Sequence, residues 1–427
     1  MEGKSEHSSY RWVILASLCL AIMAAYTDMI AIAPIIGDVA ANLRIDVGTA
    51  TNLMMGFVLS AACVLICGGV VADKFGITVA TLLGLLCATI PASLMPWIGQ
   101  SYGVVMVARL VQGASIAFLL ATIGPVLILW FPPDEHGLAG GLAIAFISVG
   151  SAFGGLVSPI ILRSGLSWQG TLFIISLFGW FSIALTLVVA RRSPSPPDAG
   201  RAGRSGQPGG ERGAFAKAVR LPMTWIGVLV VFFNTWNLYC FLNLVPAYAA
   251  VPRPMGIGLG SVTAGRLALV GAGIGIISTI LGGWVFDRFA RTKWRPAVLV
   301  GFLLTALFAF PLTLTDAWGG LPLFIVCLML VGWGVNFMGA SFNGFIAANY
   351  PPHIVGRMVG WWFGFGAFGG ALGLYIGGRT VQATGSFKTA ISLVSISAVM
   401  GFALDCFLKP ANMDRKRQPV RLRPRLS

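Results

Sequence analysis

The sequence predicts an all-α membrane protein with twelve transmembrane helices arranged as two halves of six. Of its 427 residues, 57% are hydrophobic and only 10% are charged, and long apolar runs recur along the whole chain. Soluble domains carry roughly 25% charged residues, so this chain could not cover a soluble surface. Each run is long enough to cross a bilayer. The runs are 12–36, 49–71, 78–98, 102–130, 138–162, 169–190, 221–249, 263–286, 297–315, 320–346, 357–378 and 388–408.

Basic residues are distributed unevenly between the two sides of the predicted bundle. With the N-terminus inside, 22 of the 29 Lys and Arg residues fall in cytoplasmic segments and six in outer segments. Cytoplasmic loops show this bias, so we expect both termini inside and the protein in a cell membrane, the inner membrane if the source is bacterial. The basic residues on the cytoplasmic side of the bilayer account for the net charge of +15. A nucleic acid is therefore not needed to explain this charge, and we expect no nucleic-acid partner.

The chain divides at a segment rich in Pro, Gly, Ser and Arg. Residues 191–220 have too little apolar content to form a core, so we expect a solvated cytoplasmic linker. It separates an N-terminal half, 1–190, from a C-terminal half, 221–408, and a basic tail follows at 409–427. The seven cysteines lie in apolar runs without metal-ligand spacing, so we expect no disulfide and no metal site. We expect the protein to be a monomer.

A short motif occurs once in each half. The pattern G-x-x-x-D-[KR]-F closes span two at Gly69, Asp73 and Lys74, and closes span eight, 214 residues later, at Gly283, Asp287 and Arg288. A glycine lets a neighbouring helix approach, an Asp can accept from exposed N–H groups, and a basic residue faces the anionic cytoplasmic leaflet. We interpret these turns, the first continuing to Gly76, as gating loops; a static cap is the alternative.

Twelve spans in two sets of six, a basic central loop and this duplicated turn resemble the major facilitator superfamily. The family's loop pattern G-x-x-x-D-[RK]-x-G-[RK]-[RK] is matched over residues 69–76, but Ile77 and Thr78 replace its final basic pair. The family pattern R-x-x-Q-G is present in span four at residues 109–113. The resemblance covers essentially the whole chain and implies a secondary transporter that works by alternating access.

Ionisable residues are rare inside the spans, and two of them stand out. Asp28 lies in span one and Arg109 about eight residues into span four, which places them at similar depth. A charge at the bilayer midplane costs roughly 2.5–3.5 kcal/mol on insertion scales. Burial favours a neutral acid and a nearby guanidinium favours an ionised one, so we expect the pair to hold and release a proton. The resemblance supports this, since proton-coupled members of the family use an acid in span one with the span-four arginine; a permanent salt bridge is the alternative.

Further polar and aromatic side chains are candidates for substrate binding, together with Arg109. They are Asn234, Asn237, Tyr239, Arg266, Asn336 and Trp361. Buried amides need hydrogen-bond partners, so we expect the asparagines to line a water-filled cavity. Hydrogen bonds from the asparagines to neighbouring helices are the alternative. Trp361 could stack on a substrate or pack against neighbours, and Arg266 could attract an anion or reach lipid headgroups.

The sequence contains no P-loop, no nucleophile elbow and no H-E-x-x-H. We therefore expect a transporter rather than an enzyme, without a cofactor, that imports a small organic anion together with protons. An exporter that exchanges drugs or metabolites for protons is one alternative, although the Gly-Pro motif of such exchangers is only partial at residues 149–160. The other is a membrane sensor or assembly factor that transports nothing; an extra soluble domain or loss of the buried charges would mark it, and the sequence has neither.

Overall fold

The computed structural model describes residues 10–132, 135–192, 208–285, 295–314, 320–351 and 354–408. Within these ranges the regular structure consists of fifteen α-helices and two short 3-10 turns, Ala33–Ile35 and Pro311–Thr313, with no strand. The helices are α1 Tyr10–Ile30, α2 Ile36–Leu43, α3 Val47–Phe75, α4 Ile77–Ile98, α5 Tyr102–Trp130, α6 His136–Arg163, α7 Trp168–Arg192, α8 Pro208–Val219, α9 Pro222–Ala250, α10 Ser261–Val285, α11 Arg295–Ala309, α12 Gly320–Phe337, α13 Gly339–Asn349, α14 Val355–Thr384 and α15 Phe387–Phe407.

Twelve stretches of the described chain are long and apolar enough to cross a membrane, and they coincide with the twelve runs predicted from the sequence. The first contains both α1 and α2, and the tenth contains α12 and most of α13. The predicted fold class is therefore confirmed. Because successive spans alternate in direction, five loops within the described ranges share one face of the bundle, which we call the far face; the start of α1 lies at the near face. The far-face loops are 44–46, 99–101, 164–167, 251–260 and 385–386.

Part of the central linker is helical. The sequence predicts a solvated linker without regular structure over residues 191–220, whereas residues 208–219 form α8. The Phe215 ring of α8 packs edge-on against Trp361 of α14, with 5.7 Å between ring centroids. Thr224 Oγ1 donates to the carbonyl of the buried Ala218 at 2.6 Å. The few apolar residues of this stretch thus pack against the C-terminal half. Residues 193–207 and the tail 409–427 lie outside the described residues.

The N-terminal half (α1–α7) and the C-terminal half (α9–α15) contact each other mainly along two helix pairs, α3 with α14 and α6 with α10. Glycine permits both contacts. A Cβ added to Gly48 would lie 2.7 Å from the Gly378 carbonyl oxygen, and one added to Gly265 would lie 2.4 Å from that of Gly155. The backbones of the two halves therefore touch directly. All four glycines lie towards the far face.

A polar bridge joins the halves at the far face. Gln382 Nε2 of α14 donates to Asp46 Oδ2 and to Thr49 Oγ1, each at 3.2 Å. Thr49 N donates to Asp46 Oδ1 at 2.7 Å. The limited burial of Asp46 favours the neutral acid, but the hydrogen bonds from Thr49 and Gln382 outweigh this effect and lower the pKa of the Asp46 carboxyl below its ordinary value.

Asp46→Asn should destabilise the protein at neutral pH and have no effect in strong acid. A carboxyl whose pKa is lower in the folded state stabilises that state above its unfolded pKa, about 3.9, and the stabilisation is lost as pH falls through the folded value. We expect the melting temperature in detergent to fall by about 1–3 °C near neutral pH, and the difference to vanish in acid. Scanning fluorimetry across this pH range measures it. Asp38→Asn, at an exposed position of α2, is the control; equal melting temperatures at neutral pH would contradict the prediction.

Candidate transport site

The first span is interrupted where Pro34 follows α1. Proline has no N–H to donate, and its ring crowds the carbonyl four residues earlier, here that of Ile30. The chain therefore leaves the α-helix at Ile30 and passes through the turn Ala33–Ile35 before α2 begins. Ala31 N still donates to Thr27 O at 3.0 Å. The next two carbonyls along the helix need partners from elsewhere in the bundle.

Arg109 of α5 supplies those partners. Its Nη1 donates to Asp28 O at 3.1 Å and its Nη2 to Met29 O at 2.9 Å. Nη1 also donates to Gln112 Oε1 at 3.1 Å, and Nε donates to Leu53 O of α3 at 3.4 Å. The Arg109 side chain is 0% exposed. One buried cation thus joins α1 and α3 to α5, and it completes a helix end at which positive charge is favourable.

The carboxylate of Asp28 lies near this cation without bonding to it. The residue is 4% exposed, and neither carboxylate oxygen has a hydrogen-bond partner within the described chain. Arg109 acts on it electrostatically, but the salt bridge recorded among the described residues joins Arg11 to Glu135 instead. Because the guanidinium donates to the main chain of α1, Asp28 can take up a proton without breaking a hydrogen bond. The salt bridge between Asp28 and Arg109 that the sequence left as the alternative is not formed in this conformation.

The R-x-x-Q-G motif extends this junction to one more helix, α4, and strengthens its contact with α3. Gln112 Nε2 donates to Ala88 O of α4 at 3.4 Å. A Cβ on Gly113 would lie 2.0 Å from Phe57 O of α3, and the Phe57 ring centroid lies 4.6 Å from the Arg109 guanidinium carbon. The motif therefore fastens four helices together. Gln112 and Phe57 were not among the sequence candidates, although the spacing of Gln112 in the motif already indicated a role.

Tyr239 of α9 brings the C-terminal half to this region. Its phenol lies close enough to that of Tyr26 of α1, which precedes Asp28 by two residues, for the two groups to interact electrostatically. Both tyrosines are buried, at 9% and 5% exposure. This contact crosses between the halves and has to be lost if they separate here. Tyr26 was missed in the sequence, where a polar aromatic residue close to Asp28 was the available signal.

The asparagines of α9 join helices. Asn234 Nδ2 donates to Val335 O of α12 at 3.1 Å, and Asn237 Oδ1 accepts from Ser397 Oγ of α15. Both residues are buried. Asn336 is half-buried and donates to the carbonyl one turn earlier in its own helix at 2.8 Å. The structure therefore gives the α9 amides the helix-joining role that the sequence left as the alternative to cavity lining.

Two other candidates lie apart from Asp28 and Arg109. Trp361 packs among aromatic rings, with centroid distances of 4.6 Å to Phe365 and 6.0 Å to Trp225. Arg266, near the far-face start of α10, is exposed. The ring contacts of Trp361 match the packing role. The exposure of Arg266 fits both roles that the sequence leaves open, attraction of an anion and contact with lipid headgroups.

The gating-loop candidates are described only in part. Lys74 is exposed at the end of α3, with its ammonium 5.4 Å from the Phe75 ring centroid. Gly76 begins the turn into α4 with a φ of +86°, which favours glycine. Gly69 and Asp73 lie in α3 and Gly283 lies in α10, but the structure does not describe the surroundings of these three residues. Asp287 and Arg288 lie outside the described residues.

The space between the halves beside the break in span one is narrow. A crevice of about 20 Å³ there is lined mostly by apolar side chains, including those of Ile30, Phe241, Ala268 and Phe324. It has room for about one water molecule. Together with the glycine contacts and the polar bridge, it shows that the halves are closed against each other towards the far face.

Comparison with known proteins identifies the family. Residues 18–320 match the Major Facilitator Superfamily. The chain belongs to this superfamily. It is therefore a multi-pass membrane protein of a transporter family and not an enzyme, as the sequence predicts. A superfamily structure, that of a D-xylose-proton symporter, superposes with a TM-score of 0.73 over 94% of this chain and 97% of the symporter, at 16% identity, and shows the shared fold.

Among curated superfamily members, the chain is similar to transporters of organic acids. It is 26% identical to a probable sulfoacetate transporter of Cupriavidus necator, over 96% of this chain and 97% of that protein. It is 24% identical to a hexuronate transporter of Bacillus subtilis, over 80% of this chain and 82% of that protein.

Gly113→Ala should loosen the junction of α3 and α5. The added methyl would meet the Phe57 carbonyl at 2.0 Å, and overpacking of this kind costs about 1–3 kcal/mol. We expect a lower melting temperature in detergent. Gly124→Ala, on the same helix with nothing within 4 Å of the added Cβ, is the matched control and should leave it unchanged. Equal melting temperatures for the two variants would contradict the prediction.

Arg109→Lys should destabilise the bundle although it keeps the charge. A lysine ammonium cannot reproduce the fork that reaches carbonyls of both α1 and α3, and each lost charged hydrogen bond costs about 1.5–3 kcal/mol. We expect the melting temperature to fall by about 5 °C or more. Arg266→Lys, at an exposed position, is the control. If the two variants have the same melting temperature, the hydrogen bonds of the Arg109 guanidinium do not stabilise the helix bundle.

Proposed function

We propose that this superfamily member is a secondary transporter of a cell membrane that imports a small organic anion together with protons, with both termini in the cytoplasm. The observation that carries the proposal is the Asp28 carboxylate, buried at 4% exposure without a hydrogen-bond partner in the described chain and placed near the buried Arg109 guanidinium. A buried acid in a membrane span needs a function, and reversible protonation is the chemistry that these surroundings allow.

The two curated relatives support an anionic substrate. Sulfoacetate and hexuronates are small organic acids that carry negative charge at neutral pH. The site suits such a substrate because protonation of Asp28 leaves the Arg109 charge without its neighbouring counter-charge. The electrostatic field of a buried cation then favours entry of an anion, although Arg109 donates its recorded hydrogen bonds to neutral acceptors.

The contacts between the halves support alternating access. The glycine contacts at Gly48 and Gly155 close the far face, which is the outer face in the proposed orientation. Rocking the halves apart there requires the Asp46–Gln382 bridge to open and the Tyr26–Tyr239 contact to be lost. Each is a small polar contact that can form again, as a cycle of outward and inward states requires.

Asp28→Asn should abolish accumulation driven by a pH gradient and leave exchange measurable. An amide cannot carry the proton, but substrate bound on both sides can still exchange. Purified protein in liposomes, acidic outside, is tested with labelled glucuronate, glucarate, sulfoacetate, a hexose and a cationic dye, and initial rates and steady-state accumulation are compared with those of the parent.

Asp38→Asn is the matched control, since it makes the same chemical change at an exposed position of α2 in the same span. Accumulation by Asp28→Asn at the parent rate would exclude Asp28 as the coupling residue. Gradient-driven movement of the dye rather than of any acid would favour an exporter instead.

A further inference from the structure

Charged side chains are scarce in the interior of the bundle. Among the residues whose side chains the structure describes, the buried charged ones are Asp28, Arg109 and Asp405. Asp405 lies in the last turn of α15, which ends at Phe407, at the near face. The middle of the described bundle therefore holds one potential negative charge and one positive charge.

The helices packed against α1 add no further charge beside Asp28. Those helices are α4, α5, α6 and α7. Apart from Arg109, the charged residues of these helices are Arg163, Arg191 and Arg192, which lie at helix ends. Tyr26 and Tyr239 are the titratable neighbours; they interact with each other, and phenols are neutral at physiological pH. Arg109 is the charged group that acts on Asp28.

The surroundings of Arg109 leave its charge uncompensated at short range. Its four recorded hydrogen bonds go to three carbonyls and one amide oxygen, all uncharged. Its residue is 0% exposed, so water does not screen it directly. The counter-charge for Arg109 in this region is thus the unbonded Asp28 carboxylate. An uncompensated buried charge has a high free energy in a low-dielectric interior. The halves should therefore reorient readily only when the charges of this pair and of any bound substrate sum to zero.

We propose that each cycle carries one proton and one negative charge, so that the substrate class is a monovalent organic anion and transport is electroneutral. This inference rests on the proposed function. In the empty carrier Asp28 is ionised, and the pair with Arg109 sums to zero. In the loaded carrier Asp28 holds the proton, and the single charge of the substrate balances Arg109. The proton binds to the carboxylate from the outside and leaves it to the inside with the anion.

A divalent anion does not fit this balance. One proton on Asp28 would leave the loaded carrier with one uncompensated negative charge, which opposes reorientation and makes any transport sensitive to membrane potential. The requirement that the charges in the site sum to zero therefore favours monovalent over divalent acids of similar size. Glucuronate, with one carboxylate, and glucarate, with two, differ in this respect while sharing most of their chemistry.

The test measures potential dependence in liposomes that contain the purified full-length protein. An inward proton gradient is held constant while potassium and valinomycin set the potential inside-negative, zero or inside-positive. Across about 100 mV, transfer of one net charge would change steady-state accumulation by roughly 50-fold. We expect glucuronate accumulation to change by less than about twofold, and glucarate to accumulate less than glucuronate when the inside is negative.

Asp28→Asn provides a second readout that does not depend on the rate of the parent. The variant keeps the Arg109 charge without its partner, so the empty carrier is positive and the anion-loaded carrier neutral. Net glucuronate entry should therefore lose its response to the pH gradient and increase when the inside is positive, while exchange persists. Asp38→Asn should remain insensitive to the potential, like the parent.

The outcomes separate this inference from the function on which it rests. Parent glucuronate accumulation that rises about 50-fold with inside-negative potential means that more than one proton accompanies the anion, which overturns the electroneutral balance while proton-coupled uptake stands. Glucuronate accumulation that falls about 50-fold means that the anion enters without a proton, and then both this inference and the proposed function fail. Equal accumulation of glucarate and glucuronate at inside-negative potential also overturns it. If no acid accumulates under a pH gradient, the proposed function fails, and this inference fails with it.

Discussion

The bundle depends on the insertion of one guanidinium into the broken end of the first span. Pro34 interrupts the hydrogen-bond ladder, and a membrane interior contains little water that could satisfy the freed carbonyls. Arg109 satisfies those of Asp28 and Met29, and through Leu53 it holds α3 in the same arrangement. The break and the arginine therefore depend on each other. A continuous helix would offer no acceptors to the cation, and a break without the cation would leave buried polar groups unpaired.

This arrangement explains why an acid can remain reactive next to an arginine. A carboxylate and a guanidinium in contact would form a strong paired bond, and a proton would have to compete with it. Here the main chain of α1 occupies the guanidinium, and the carboxylate on the same helix is near but unbonded. The cation is thus a fixed part of the framework, and the acid is the group that can change state. In the proposed mechanism, the same residues therefore serve both packing and chemistry.

Glycine has two different roles in the packing. Gly113 and Gly154 bring helices of one half into backbone contact, at 2.0 Å and 2.2 Å from an added Cβ, which keeps that half rigid. Gly48 and Gly155 make similar contacts between the halves. A surface formed by backbone carries few interlocked side chains, so it can separate and close again with little repacking. Directional contacts across the same boundary are few, and they are hydrogen bonds rather than buried salt bridges in the described chain.

The sequence by itself determined the twelve spans, since apolar length and scarce charge leave a membrane as the solvent in which these segments are stable. It also indicated Asp28 and Arg109, because a charge in such a segment needs a reason. Only the tertiary structure decided that Arg109 binds main-chain carbonyls, that Asn234 and Asn237 join helices, that Trp361 packs under α8, and that Tyr26 meets Tyr239. Those contacts depend on the depth and rotation of helices that are distant in the sequence. The local amino-acid composition does not determine either quantity.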